Sequence, residues 1–190
     1  MQTPTHLLVA AACFARPGQK KRNAASLIGA FLPDASLYFM VLLNGVIRGF
    51  PMERVFGESY FHPFWQRVFA IDNSVFVWLF CLILGAVFRS AIAVVFACAG
   101  LLHILFDFPL HHDDGRAHFW PLSDWIFESP VSYWDPQAYG WFVAPVELAL
   151  GVVLIVLLLR RFKGIFARTA LLAGLSALVL PQLAFLLMFG

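Results

Sequence analysis

From Trp141 to Leu159 the chain carries one charged residue, Glu147, and it holds several such runs. A stretch of that length and apolarity crosses a bilayer as a helix, because about 20 apolar residues span the hydrocarbon core and only closed backbone hydrogen bonding survives there. Other runs cover Asn23 to Gly49, about Ser74 to Phe88, about Ala91 to Phe108 and about Thr169 to Phe189, with a shorter one from Thr3 to about Ala15. The 190 residues are 61% hydrophobic, and the mean hydropathy is +0.80. One water-soluble core of this size cannot hide that much apolar surface, so lipid must cover part of it. The sequence therefore reads as an all-α, polytopic integral membrane protein with about five to six transmembrane helices, one domain over residues 1–190.

Within this frame the breaks carry information. Thr3 before Pro4 reads as an N-cap followed by proline at the first helical position. The helix it starts is about 18 Å long at 1.5 Å per residue, too short to cross. Pro33 interrupts the second run and predicts a kink or break. Asp34 follows it, either as a group facing the protein interior or as the N-cap of a restarting helix. Residues 50–72 alternate in charge sign and interleave Tyr60, Phe61, Phe64, Trp65 and Phe69, the pattern of an amphipathic segment with its rings at headgroup level. His62 belongs to that interface. The polar exceptions in the last two runs are Glu147 and Pro181-Gln182.

Charge sets the orientation. The basic cluster Arg16, Lys20, Lys21 and Arg22 follows the first apolar run, the reverse of a cleavable signal peptide. If it is cytoplasmic, successive crossings place Arg89, Arg160, Arg161, Lys163 and Arg168 on the same side, nine of the thirteen Lys and Arg residues. A net charge of +2 is too small to imply a nucleic-acid partner. Cys13, Cys81 and Cys98 lie within apolar runs and read as small hydrophobes.

Against this background, residues 103–124 hold four of the six histidines and four of the seven aspartates. The orientation puts this polar segment outside the cytoplasm, where Trp120, Trp125, Trp134 and Trp141 fit an aromatic belt. His103 and Asp107 are spaced i, i+4 and share one helix face; His111 extends the row if the helix survives Pro109. Neutral imidazole nitrogen and anionic carboxylate oxygen are ligands for a divalent cation, zinc or manganese. The alternatives are a neutralised His103–Asp107 couple, or Asp107 as the group that orients His103. His112, Asp113, Asp114, His118 and Asp124 lie on the same side, and His6 and Asp34 can reach it; Asp113-Asp114-Gly115 also makes a good turn.

Four sequence pieces occur in order: Thr-His-Leu-Leu at Thr5 to Leu8, Gly-Ala-Phe-Leu-Pro-Asp at Gly29 to Asp34, Gly-Leu-Leu-His-Ile-Leu-Phe-Asp at Gly100 to Asp107, and Trp-Pro-Leu-Ser at Trp120 to Ser123. Together they resemble the family of LexA-regulated, membrane-bound, predicted metal-dependent hydrolases. The resemblance implies a bacterial inner-membrane protein and carries a metal role onto His6, Asp34, His103 and Asp107. It spans roughly the first two thirds of the chain as short islands. The family's second acid is replaced by Ala35-Ser36, and its His-Arg-Gly-x-Thr-His-Ser element has no counterpart, the nearest segment being Ile71 to Ser74. His111, His112 or Asp72 would then substitute, or catalysis has been lost.

Two functions follow as expectations. The first is a membrane-bound metal-dependent hydrolase at the outer face of the inner membrane, acting on a lipid or amphipathic substrate, with His6, Asp34, His103, Asp107 and His111 as metal ligands and the lipid bilayer as its environment. Asp113 or Asp124 is then a candidate general base. The second is a non-catalytic integral-membrane accessory, transport or assembly protein.

Overall fold

The computed structural model describes residues 1–189, with side chains as far as Leu180, so Pro181 and Gln182 lie outside the described side chains. Among the described residues it is helical with no strand. Helix α1 is Thr3–Phe14 and α2 is Lys20–Val41, which continues into a π-helical turn at Leu42–Ile47. A three-residue turn, α3 (Met52–Arg54), and a second π-helical turn at Val55–Ser59 lead to α4 (Pro63–Asp72). Then come α5 (Val75–Val87), α6 (Ala91–Asp107), α7 (Gly140–Arg161) and α8 (Ile165–Phe189).

Three helical stretches are long and apolar enough to cross a membrane: Lys20–Ile47, Pro63–Val87 and Gly140–Arg161. Helix α6, with 17 residues, and α1, with 12, are apolar but shorter. Large side chains such as Ile28, Phe39, Val46, Phe80, Val153 and Leu157 stand exposed on these helices. An apolar face of that extent is what a membrane-spanning helix presents.

Several expectations change. Thr3 is not the cap of α1: Gln2 holds that position without a side-chain bond, and Thr3 lies in the first turn with its hydroxyl donated to Asp34 Oδ2 at 2.5 Å. The capping need is met from outside, by Glu147 Oε1 accepting the Gln2 N–H at 2.7 Å. Pro33 does not break α2, which passes through it, so Asp34 is a mid-helix residue rather than a cap. The Pro33 carbonyl accepts from Asn73 Nδ2 at 3.0 Å, tying α2 to the junction of α4 and α5.

The stretch 50–72 is not a wholly interfacial segment. Its second half is α4, part of the Pro63–Val87 span. Trp65 and Phe69, one turn apart, pack with Tyr60 and Val55 against Met40 of α2, so these rings are core while Phe61 and Phe64 stay exposed. His62 caps α4 through Nδ1, which accepts from the Phe64 N–H at 3.2 Å.

The contact that positions the site is that of α1, α2 and α6. Small side chains let backbones approach, and van der Waals packing then drives association in lipid. At Gly29 a Cβ atom would fall 2.2 Å from the Phe96 carbonyl oxygen, so only glycine permits this α2–α6 approach. Ala10, Ala30 and Ala99 meet where the three helices touch. One turn nearer the polar end, on the same faces, stand His6, Asp34 and His103.

The opposite end collects cations. Arg161 Nη1 donates to the Ala12 carbonyl at 2.7 Å, and Arg22 Nε donates to the Phe14 carbonyl at 2.7 Å, satisfying the orphan carbonyls of α1. Arg89 lines one hollow with Arg22 and Phe14. Arg22, Arg89 and Arg161 thus sit at the end of the bundle opposite His6 and His103.

Candidate metal centre

His6, on the first turns of α1, and His103 and Asp107, on the last turns of α6, form a buried group whose ligand atoms lie within 4.8 Å of one another. The imidazole rings of His6 and His103 stack, with centroids 3.6 Å apart and 9° between planes. Each presents Nε2 to a different oxygen of one carboxylate: His6 to Asp107 Oδ1 at 2.8 Å, His103 to Asp107 Oδ2 at 3.0 Å. The Met1 ammonium also meets Oδ1, at 2.7 Å.

The decisive bond is on the far side of His103. Its Nδ1 lies 2.7 Å from the Ala30 carbonyl oxygen, which can only accept, so Nδ1 carries the proton. A neutral ring then has its Nε2 lone pair facing Asp107 Oδ2, with Asp34 Oδ1 a further neighbour at 3.6 Å. Lone pair against carboxylate is repulsive unless a cation lies between them, whether a metal ion or a proton on the ring. Donation of one ring N–H to a backbone carbonyl is also what orients metal-bound histidines, whose other nitrogen faces the ion. Tetrahedral bonds of about 2.0–2.2 Å put ligand atoms about 3–4 Å apart, close to the spacings seen here. Two imidazoles and a carboxylate fit a divalent ion in donor type, and the group is able to hold one.

Two expected residues touch this group at its edge. Asp34 is buried, faces His103 and accepts from Thr3. His111, past the end of α6, sets Nε2 3.4 Å from Asp107 Oδ2 and Nδ1 2.9 Å from Asp114 Oδ1, both at angles too poor for hydrogen bonds. Burial pulls the His111 ring down, but the carboxylates of Asp107 and Asp114 outweigh it and hold its pKa above the ordinary value. Burial raises Asp114, yet His111 and then Arg116 bring it below the usual carboxylate range.

The remaining candidates serve the loop. His112 directs Nδ1 to the Ser129 carbonyl at 2.6 Å, and Asp113 and Asp124 are exposed. His118 is buried with Nδ1 3.0 Å from the Asn73 carbonyl, while its own carbonyl accepts the Val75 N–H at 2.9 Å. Ser74 Oγ donates to the Trp120 carbonyl at 2.5 Å. These bonds pin the loop across the end of α4 and α5. Asp72 does not join the ligand group, so it does not replace the missing family ligands there.

Sequence reasoning missed two groups. Glu147 was visible as a charge in an apolar run, but its contact with Gln2 was not; its Oε2 is buried and without a partner. Arg116 is 5% exposed and stands over the rings of Phe69 and Tyr60, at 4.4 and 4.9 Å. Tyr60 in turn donates to the Asp114 carbonyl at 2.7 Å, and burial pushes its phenol up to about 12.

No protein-family model, no curated protein and no solved structure matches this chain.

Proposed function

We propose that this is a membrane-embedded metal-dependent hydrolase, crossing the bilayer five to six times, with its histidine-rich end at the outer face of a bacterial inner membrane. The observation that carries the reading is the His103 geometry: Nδ1 held by Ala30, Nε2 aimed at Asp107 beside the stacked His6. The sequence resemblance to the LexA-regulated membrane hydrolases points to the same residues. The placing of Arg22, Arg89 and Arg161 away from the histidine cluster supports the orientation, since cytoplasmic faces carry the excess of Lys and Arg.

His6, His103 and Asp107 would hold the ion, with Asp34 and His111 as the nearest further donors. Zinc or manganese bound there would supply Lewis-acid polarisation of water and of a scissile ester. Ala30 fixes the tautomer of His103, and the ring stack fixes the direction of His6. Asp114, kept ionised beside His111, favours the protonated form of that ring through its charge. A site at the polar end of apolar helices suits a lipid or amphipathic substrate.

The second reading rests on the same contact. A proton on His103 satisfies Asp107 as well as a metal would, and the cluster is then an ion pair locking α1, α2 and α6 in a non-catalytic membrane accessory protein. Activity separates the two. Purified protein loaded with zinc or manganese and offered a panel of phospholipids and lipid-linked esters should release product, and Asp107→Asn should not. No turnover of any ester by metal-loaded wild type, with Asp107→Asn still folded, would favour the accessory role.

A further inference from the structure

Arg116 poses a problem that the metal reading leaves unsolved. Its side chain is 95% removed from solvent, since 5% stays exposed. A guanidinium brings five N–H donors, and its Nη1 is buried with no hydrogen-bond partner. No side-chain hydrogen bond or ion pair from Arg116 is formed among the described residues. What holds the charge is the two ring faces of Phe69 and Tyr60 beneath it. Tyr60, Asp34, Asp114 and Asp107 all act on it electrostatically, and they outweigh burial to raise its already high pKa. None of these carboxylates bonds to it. Burying a charged donor without a hydrogen bond is costly unless a partner arrives.

The arginine also reaches the metal group through one short path. The Tyr60 ring beneath it donates to the Asp114 carbonyl, the Asp114 carboxylate lies 2.9 Å from His111, and His111 lies 3.4 Å from Asp107. A planar fork of donors with a buried, unpartnered Nη1, close to a group that suits a cation, is complementary to a tetrahedral oxyanion.

We propose that Arg116 is the anion-holding residue of this site, and that the site takes a phosphorylated ligand, the phosphate bound by Arg116 beside the metal. This rests on the metal reading above and names the substrate class within it. Lipid headgroups and free phosphate share this chemistry, and the test separates them.

Melting of the full-length protein is followed with and without manganese. Inorganic phosphate is titrated in detergent micelles, and phosphatidic acid is titrated in phosphatidylcholine nanodiscs. Wild type should be stabilised by at least one of the two: by phosphate in micelles if the free anion is recognised, by phosphatidic acid alone if the headgroup needs its lipid. Apparent affinity should drop about tenfold in Arg116→Lys, which keeps the charge and loses the fork, and at least about 30-fold in Arg116→Met. Manganese affinity should not fall in either variant.

Wild type that binds manganese but neither phosphate nor phosphatidic acid overturns the proposal and leaves the metal reading in place. Wild type that binds phosphate through Arg116 but no manganese keeps the anion site and removes the metal. Equal anion affinity in wild type and Arg116→Met overturns the proposal. Should Arg116→Met fail to fold, equal affinity in wild type and Arg116→Lys does the same.

Discussion

Two histidines of this protein, His103 and His118, each direct Nδ1 at a backbone carbonyl, Ala30 at 2.7 Å and Asn73 at 3.0 Å. Both are buried. They differ in what faces the second nitrogen. His103 Nε2 meets Asp107 at 3.0 Å and Asp34 at 3.6 Å, whereas no carboxylate lies within ion-pair distance of His118 among the described residues; the ring of Phe108 is its neighbour, 5.7 Å away. The same anchoring bond thus leaves one imidazole with its second nitrogen in a group able to hold a cation and makes the other a pin for a loop. Burial outweighs the Asn73 carbonyl and the more distant Asp107 and lowers the pKa of His118 below the ordinary histidine value, which suits a neutral structural donor.

The comparison breaks most visibly at Asp107. Asp107→Asn removes the one carboxylate that both His6 and His103 address, and should weaken zinc or manganese binding by at least about 100-fold, beyond what an outer partner costs. Isothermal titration of the purified variant checks this. Unchanged affinity would mean that the ion, if bound, sits elsewhere.

Gly29→Ala tests what holds His103 in place. The added methyl meets the Phe96 carbonyl, a backbone atom that cannot turn away, so α2 must separate from α6. A loss of about 1–3 kcal/mol is expected from overpacking, together with weaker metal binding as the Ala30 carbonyl retreats from His103. Reversible unfolding in mixed micelles, with and without manganese, gives both numbers. Stability lost with metal affinity intact would show that Ala30 does not position His103.

His103→Gln and His118→Gln then sharpen the contrast directly. The first should abolish metal uptake. The second should leave it intact and cost about 1–3 kcal/mol for the buried Asn73 carbonyl left without its donor. Metal affinity and melting temperature, measured on both, should move in this crossed fashion; parallel losses would contradict the division of roles.

The smallest effect is in pH. The folded-state pKa of His118 is depressed, so unfolded protein binds more protons across the range below the ordinary histidine value. The contribution of His118 is therefore present above about pH 6.5 and lost as pH falls through the depressed folded value. Hydrogen-exchange protection over residues 108–139, taken relative to the intrinsic rate at each pH, should fall on acidification below that point in wild type and lose this step in His118→Gln. A step that survives the substitution would belong to another group.

Much of the site was legible because it is local. His103 and Asp107 sit one helical turn apart, and periodicity alone puts them on one face. His6 and Asp34 could be put within reach of that side, but their metal role came through resemblance, since nothing in spacing says that Ala10, Ala30 and Ala99 meet and bring the preceding or following turns together. The Ala30 carbonyl was invisible, as every residue has one. Aromatic interleaving at 50–72 misled because Trp65 and Phe69 share the face that finds Met40, while Phe61 and Phe64 do look outward. Thr3 had the chemistry of a cap but was taken by Asp34, and Arg116 was one of four scattered arginines until the loop folded over it.

The central claim is that His103, held by Ala30, points a lone pair at a cation site shared with His6 and Asp107. Metal content of protein purified without added metal, followed by melting after zinc or manganese is added to chelator-treated protein, tests it most directly. Bound metal, or a stabilisation of about 2.7 kcal/mol at a hundredfold excess over Kd that His103→Gln abolishes, is the expected result. Metal-free wild type whose melting does not move with either ion would contradict it, and the cluster would then be a proton-bridged ion pair.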